Sequence, residues 1–257
     1  MSRLKNIFEE NKGRKVLNVY CTAGYPNLDS TLEVMEALQK DGANIIELGM
    51  PYSDPLADGE VIQNSGMVAL KNGMTIAKLF DQLKDFREKI SIPVVLMGYL
   101  NPILQYGFEK FCQDAASVGV DGLILPDLPE YEYESTYRHI VKKYALDFIF
   151  LVTPDTSVAR IRQLDELSSG FLYAVSSSST TGKDKDFDEV EKYLIKLKTL
   201  DLKNPVLVGF GIKDKTSFDK ATQYADGGII GSAYIKAITE NENIEESTNA
   251  FLHSIID

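Results

Sequence analysis

Short apolar runs rich in β-branched residues alternate, from end to end of the chain, with longer stretches in which apolar residues recur every three or four positions. The short runs are Val16–Cys21, Asn44–Leu48, Pro93–Met97, Gly122–Leu125, Phe148–Val152, Phe171–Val175, Pro205–Val208 and Gly228–Ile230. Most are continuous rather than alternating, the pattern of strands covered on both faces, as in a parallel sheet. Between them, Ile76, Leu79, Phe80, Leu83 and Phe86 form one helical stripe. Phe108, Phe111, Cys112 and Ala115 form a second, and Val190, Tyr193, Leu194 and Leu197 a third. Asp29-Ser30 and Thr156-Ser157 read as helix N-caps. Asp-Gly recurs at Asp41-Gly42, Asp121-Gly122 and Asp226-Gly227, where glycine is expected to end a helix and admit the next strand. Eight strands with intervening helices in 257 residues predict the α/β class and a (β/α)8 TIM barrel. The barrel is expected to occupy residues 1–257 as one domain, with an N-terminal helix before the first strand. The competing doubly wound sheet would prefer Gly-x-Gly-x-x-Gly after its first strand, and that motif is missing there. The run Ser176 to Gly182 lies between a predicted strand and a predicted helix, so it reads as a loop within the fold.

Composition narrows the function. The chain is 44% hydrophobic and 25% charged, as soluble globular proteins are. It carries 27 Lys and Arg against 38 Asp and Glu, a net charge of −11. That balance argues against nucleic acid as the main partner and against a basic membrane-surface helix. An anionic small molecule stays open, because backbone N–H groups at helix N-termini hold phosphate without lysine. The start of the chain is too charged for a signal peptide, and no apolar run reaches membrane-spanning length. The two cysteines, Cys21 and Cys112, support neither a disulfide framework nor a zinc cluster, so a cytoplasmic setting is expected. His139 and His253 sit in polar helical stretches, which disfavours zinc hydrolases, Ser-His-Asp hydrolases and Cys-His proteases. No metal site is expected, and any proton chemistry falls to carboxylates.

In a barrel of this type the site lies at the C-terminal ends of the strands. Glu47 falls inside an apolar strand, where a carboxylate is costly without a task or a partner. Burial there would raise its pKa, which suits an acid–base group near neutral pH. Spacing alone leaves open a structural ion pair or hydrogen bond instead. Asp54 and Asp58, in Asp-Pro and Asp-Gly pairs, read equally well as turn residues. Gly209-Phe210-Gly211 and Gly231-Ser232 follow the last two strands, where barrels often hold phosphate, and Gly182 could add a backbone donor. No lysine lies inside a strand to form a Schiff base. What remains is carboxylate-driven proton transfer on a small phosphorylated substrate.

The run from Glu47 to Gln63, Glu-Leu-Gly-Met-Pro-Tyr-Ser-Asp-Pro-Leu-Ala-Asp-Gly-Glu-Val-Ile-Gln, closely resembles the signature of the tryptophan synthase α chain family. Thr22 to Pro26, Met97 to Pro102, Asp121 to Asp127, Thr180-Thr181-Gly182 and Gly209 to Ile212 extend the resemblance, in order, along the whole chain. The resemblance implies a (β/α)8 barrel that cleaves indole-3-glycerol phosphate to indole and glyceraldehyde 3-phosphate. It assigns Glu47 the acid–base role at indole C3 and the adjacent glycerol hydroxyl, and Asp58 the carboxylate that meets the indole N–H. Tyr173 is similar to a tyrosine beside the catalytic glutamate, and Tyr20, Met97 and Ile124 to positions lining the indole pocket. Thr181 and Gly182 match the mobile loop after the sixth strand. Gly182, Gly211, Gly231 and Ser232 match the phosphate loops. Asp54, Asn101 and Pro102 match loops facing a β subunit, which implies an α2β2 heterotetramer. No cofactor is implied in this chain; pyridoxal phosphate is implied in the β partner, where indole condenses with serine.

The match departs at four places. Ser177 and Ser179 stand where the mobile loop usually has arginine and its first glycine, Tyr52 where phenylalanine is common, and Glu60 where proline is common. The altered loop keeps open an α-like subunit that only regulates a β partner, which intact Glu47 and Asp58 argue against. A stand-alone indole-releasing lyase and another phosphate-binding barrel enzyme are the remaining readings; the second has no reason to carry Glu47 through Asp58.

Overall fold

All eight predicted strands form, and every pairing among them is parallel. The computed structural model describes residues 2–175, 187–209, 211–240 and 243–256. Its strand segments are β1 (Val16–Thr22), β2 (Ile45–Gly49), β3 (Val94–Met97), β4 (Gly122–Ile124), β5 (Asp147–Ile149), β6 (Leu151–Val152), β7 (Leu172–Val175), β8 (Val206–Gly209) and β9 (Gly227–Ile230). They run in the order β5-β4-β3-β2-β1-β9-β8-β7-β6. The two ends of that order, β5 and β6, are halves of the single predicted strand Phe148–Val152, interrupted at Phe150. One half pairs with β4 and the other with β7, so the sheet closes into a barrel through this segment. At the interruption the backbone turns to a segment distant in sequence. The hydroxyls of Ser169 and Ser168 accept from the N–H groups of Phe148 and Phe150, at 3.0 and 3.1 Å, in place of carbonyls from a neighbouring strand.

Side chains alternate across each strand, so every second residue points into the barrel. Val16, Ile45, Val95, Ile124, Ile149, Phe171, Leu207 and Ile229 fill the interior. The helix Arg3–Glu10 closes its N-terminal end with Leu4 and Ile7. The outer faces of the strands pack against the surrounding helices in a second, larger core.

Of the three predicted stripes, two lie on the helices Phe108–Val118 and Phe187–Thr199, with all eight apolar residues buried. The third is divided. The α-helix stops at Gln82, and Phe86 belongs to a 3-10 turn, Phe86–Glu88. Arg87 in that turn reaches the Gly119 carbonyl and the Asp121 carboxylate, which holds the chain out of helical register. Ser157 caps its helix as expected, accepting from the Arg160 N–H at 3.3 Å. Asp29-Ser30 does not: a 3-10 turn runs directly into the helix Thr31–Lys40, and Ser30 has helical backbone angles.

The Asp-Gly echo also resolves differently from expectation. Gly42, at φ +104°, does end a helix. Gly227 lies inside β9, where a Cβ would stand 2.0 Å from the Val16 carbonyl oxygen of β1. The residues just before these strands stitch the barrel's N-terminal rim. Asn44 Oδ1, Asp121 Oδ2 and Asp226 Oδ2 accept from the N–H groups of Leu17, Val94 and Val206, at 2.8, 2.8 and 2.7 Å. Among the described residues no helix is long and apolar enough to cross a membrane.

Candidate active site

Glu47 is the second inward residue of β2 and is 1% exposed. Its backbone register partner on β1 is Tyr20. One inward step below Tyr20 stands Asn18, fully buried, whose Nδ2 donates to Glu47 Oε2 at 2.9 Å. Desolvation raises the Glu47 pKa to about 8, and the nearby Asp58 charge pushes the same way, while the Asn18 hydrogen bond holds it down. At neutral pH Glu47 is therefore mostly protonated and still able to cycle. Asn18 Oδ1 has no hydrogen-bond partner. An unmet buried amide oxygen costs roughly 1–3 kcal/mol, so this position is not arranged for stability alone.

Two tyrosines wall the pocket around Glu47, and each rests on a glycine. A Cβ on Gly49, at the end of β2, would lie 2.0 Å from the Tyr20 hydroxyl oxygen. One on Gly209, at the end of β8, would lie 2.6 Å from the Tyr173 ring. The tyrosines can lie across the barrel mouth only because these inward positions carry no side chain. Burial raises both phenol pKa values well above the ordinary range, and the carboxylates of Glu47 and Asp58 add to it. Both phenols stay neutral donors.

Asp58 sits in the loop between β2 and the helix Glu60–Lys71, partly buried. Burial raises its pKa, opposed by a hydrogen bond with Tyr99. The Tyr99 hydroxyl also accepts the Ala57 N–H at 3.0 Å, so one side chain just past β3 holds both the Asp58 carboxyl and the backbone of the residue before it. Tyr52 packs on Tyr99 with ring centroids 5.3 Å apart, and its hydroxyl accepts from Asn101 Nδ2 at 3.2 Å. Two neutral donors, one raised carboxyl deep in the barrel and a second carboxyl at its rim make a site that can move protons.

The structure thus brings together Tyr20, Glu47 and Tyr173 inside the barrel, with Asp58 at its mouth. Met97 and Ile124 are register partners across β3 and β4 and pack on the interior core, Ile124 with no exposure. Gly231 lies beside Tyr20, where a Cβ would meet the tyrosine Cβ at 3.6 Å, and Ser232 opens the helix Ser232–Thr239. Gly211, at φ +45°, lies just past β8, and a Cβ there would meet nothing within 4 Å among the described residues. Because β8 and β9 pair, the Gly211 and Gly231 turns are neighbours. Asp54 and Asn101 are exposed on the outer rim, with Pro102 in the first turn of the helix Leu100–Tyr106. Thr181, Gly182, Ser177, Ser179 and the remainder of 176–186 lie outside the described residues. His139 and His253 are exposed, and no group of three or more His, Cys, Asp or Glu could hold a metal ion among the described residues.

Three further residues gain a place at the site only in the fold. Asn18 is a polar residue in an apolar strand, the same signal that marked Glu47. Tyr99 lay inside a recognised run without a role of its own. Leu56, 89% exposed between Asp54 and Asp58, was hidden among turn residues.

Comparison with known proteins places the chain in a family. The family model for the tryptophan synthase alpha chain matches residues 6–255. The tryptophan synthase alpha chain of Flavobacterium johnsoniae is 51% identical over 242 residues, covering 94% of this chain and 95% of its own length. That of Bacteroides thetaiotaomicron is 46% identical over 248 residues, covering 96% of each. The crystal structure of tryptophan synthase subunit alpha from Legionella pneumophila superposes with a TM-score of 0.91 at 36% identity, covering 99% of this chain and 97% of that one.

Proposed function

The chain belongs to the tryptophan synthase alpha chain family and is a lyase that cleaves indole-3-glycerol phosphate to indole; on that premise we propose that Glu47 and Asp58 carry the chemistry. The observation that carries the proposal is the buried Glu47 carboxyl, raised to about 8 inside the barrel, with a second carboxyl at the mouth. Two carboxyls in unlike surroundings take unlike roles: the buried one cycles a proton and the one at the mouth acts as a charge. Protonated Glu47 gives its proton to indole C3, and the ionised Asp58 meets the positive charge that forms on the ring nitrogen. The bond from C3 to the glycerol carbon then breaks, its electron pair returning to the ring. The hydroxyl on that carbon becomes the aldehyde, and its proton passes to the Glu47 carboxylate just formed. Glyceraldehyde 3-phosphate leaves and Glu47 is again an acid.

Tyr20, Tyr173, Met97 and Ile124 would enclose the indole ring. Gly211, Gly231 and Ser232 would offer N–H groups to the phosphate, with the helix Ser232–Thr239 adding its N-terminal field, so a chain of net charge −11 needs no lysine there. Thr181 and Gly182 would complete that end of the site. We assign the chain to an α2β2 heterotetramer with a β subunit that holds pyridoxal phosphate and condenses indole with serine. Exposed Leu56 beside Asp54, and exposed Leu104 on the helix that carries Asn101 and Pro102, support an apolar interface on this rim. Two buried free cysteines suit a cytoplasmic enzyme.

The test is indole release from indole-3-glycerol phosphate by the purified chain. Glu47→Gln should keep the fold and lose about 10²–10⁴-fold in kcat, because the amide keeps the shape but cannot shuttle a proton. Turnover within a few-fold of the parent would remove Glu47 from the mechanism.

A further inference from the structure

A barrel interior favours apolar side chains, and at position 18 a valine would suit the strand and leave nothing unsatisfied. Asn18 is instead fully buried, with Nδ2 on Glu47 Oε2 at 2.9 Å and Oδ1 without a partner. The amide gives an N–H to one atom of one carboxyl and leaves its oxygen unmet.

We propose that Asn18 is a positioning residue for the lyase reaction, holding the Glu47 carboxylate in the orientation from which it receives the glycerol hydroxyl proton. The proposal rests on the reading of Glu47 as the acid–base group. The geometry restricts what else could do this work. Asn18 and Glu47 point inward from adjacent strands, β1 and β2, so the contact is set by sheet register and not by a loop. The groups that interact electrostatically with Glu47 are Tyr20 and Cys21 on β1, Asp58 at the mouth and Tyr173 on β7. Burial keeps Tyr20, Cys21 and Tyr173 protonated, and Asp58 repels a carboxylate. Asn18 is the hydrogen-bond donor the geometry gives Glu47 among the described residues. The orphan Oδ1 fits the other half of the cycle: turned over, the same amide meets the O–H of protonated Glu47. The bond to the charged form is the stronger of the two, so on balance Asn18 favours the carboxylate.

Asn18→Val separates this role from a structural one. Loss of the donor should move the basic limb of the kcat/KM profile up by about one pH unit, the direction of a carboxyl that has lost a stabilising N–H. We expect kcat to fall about 10-fold or more, with KM within about two-fold, since a misdirected carboxyl loses rate and not substrate affinity. The thermal midpoint should hold or rise, because the unmet oxygen is gone; a merely structural asparagine would show the reverse. Should the variant fail to fold, the parent protein answers instead. The Asn18 side-chain amide resonances should titrate with the midpoint of the Glu47 carboxyl carbon, and that titration should vanish in Glu47→Gln. An unshifted pH profile with parental kcat in Asn18→Val, or amide resonances indifferent to Glu47 ionisation, overturns the proposal. Failure of the underlying reading shows separately, as an active Glu47→Gln enzyme.

Discussion

Glu47 puts catalysis and stability in opposition on a single carboxyl. Its pKa stands at about 8 in the folded chain against an ordinary value of 4.5. Between those values the unfolded chain has released the proton and the folded chain still holds it, so stability falls as pH rises through the window and levels off above about 8. Glu47→Gln lacks this titration. Urea midpoints at pH 5 and pH 8.5 should therefore drop more for the parent than for the variant, and parallel drops would contradict the raised pKa. Activity should decline above about pH 8 as the general acid ionises, while the acid limb belongs to Asp58, whose carboxyl must be charged. Asp58→Asn should cost about 10²–10³-fold in kcat, because a neutral amide cannot offset the ring's positive charge; indole release at the parental rate would return Asp58 to a turn residue. At this scale the sequence was legible wherever a charge broke an apolar run. Glu47 stood out for that reason. Asn18 carried the same mark, but an uncharged amide draws less notice, and its meaning depends on a register between two strands that one strand does not reveal. The Tyr99 contact with Asp58 joins loops after two different strands, so only the fold could bring it to view.

The strands were readable because a parallel barrel covers both faces of each, leaving continuous apolar runs bounded by turn residues. Their boundaries were less so. The predicted strand Phe148–Val152 is broken at Phe150 by hydroxyls from Ser168 and Ser169, residues some twenty positions away. The apolar spacing of the Ile76–Phe86 stripe is that of one helix, yet Arg87 bends the chain away to reach Gly119 and Asp121. Asp-Gly pairs predict helix ends, and that holds only at Gly42; at Gly227 the glycine answers to the approach of β1. Gly227→Ala should accordingly pry β9 from β1 and destabilise the protein by about 1–3 kcal/mol or more, read as a lower urea midpoint. A midpoint within error of the parent would mean that the two strands can part at that point without penalty.

The closed barrel gathers at one rim what the chain spreads over two hundred residues. Glu47 and Asp58 come from the second strand and its loop, Tyr173 from the seventh segment, and Gly211 and Gly231 from the turns after the last two. The order of these parts is legible because each lies in the C-terminal part of a strand or in the loop that follows it, and the fold assigns every strand end to one face. The same rim carries Leu56 and Leu104, apolar and open to solvent, beside Asp54 and Asn101. Leu56→Asp should leave basal indole release intact, since the residue lies outside the pocket. It should raise the Kd for the β subunit about 10-fold or more, measured by titrating the partner against the acceleration of indole release. An unchanged titration would place the interface on another face, and no acceleration by the parent would favour a stand-alone lyase.

Tyr20 lying across Gly49 has a consequence for how this barrel can change over generations. A side chain can enter position 49 only if the ring at position 20 gives way, because the incoming Cβ would fall within 2.0 Å of the phenol oxygen. A lineage that enlarges position 49 must turn or shrink the side chain at position 20, and in doing so it disturbs one wall of the pocket. The two positions share one history. Drift at either is permitted or barred by what the other already is, and the order of the two steps is not free.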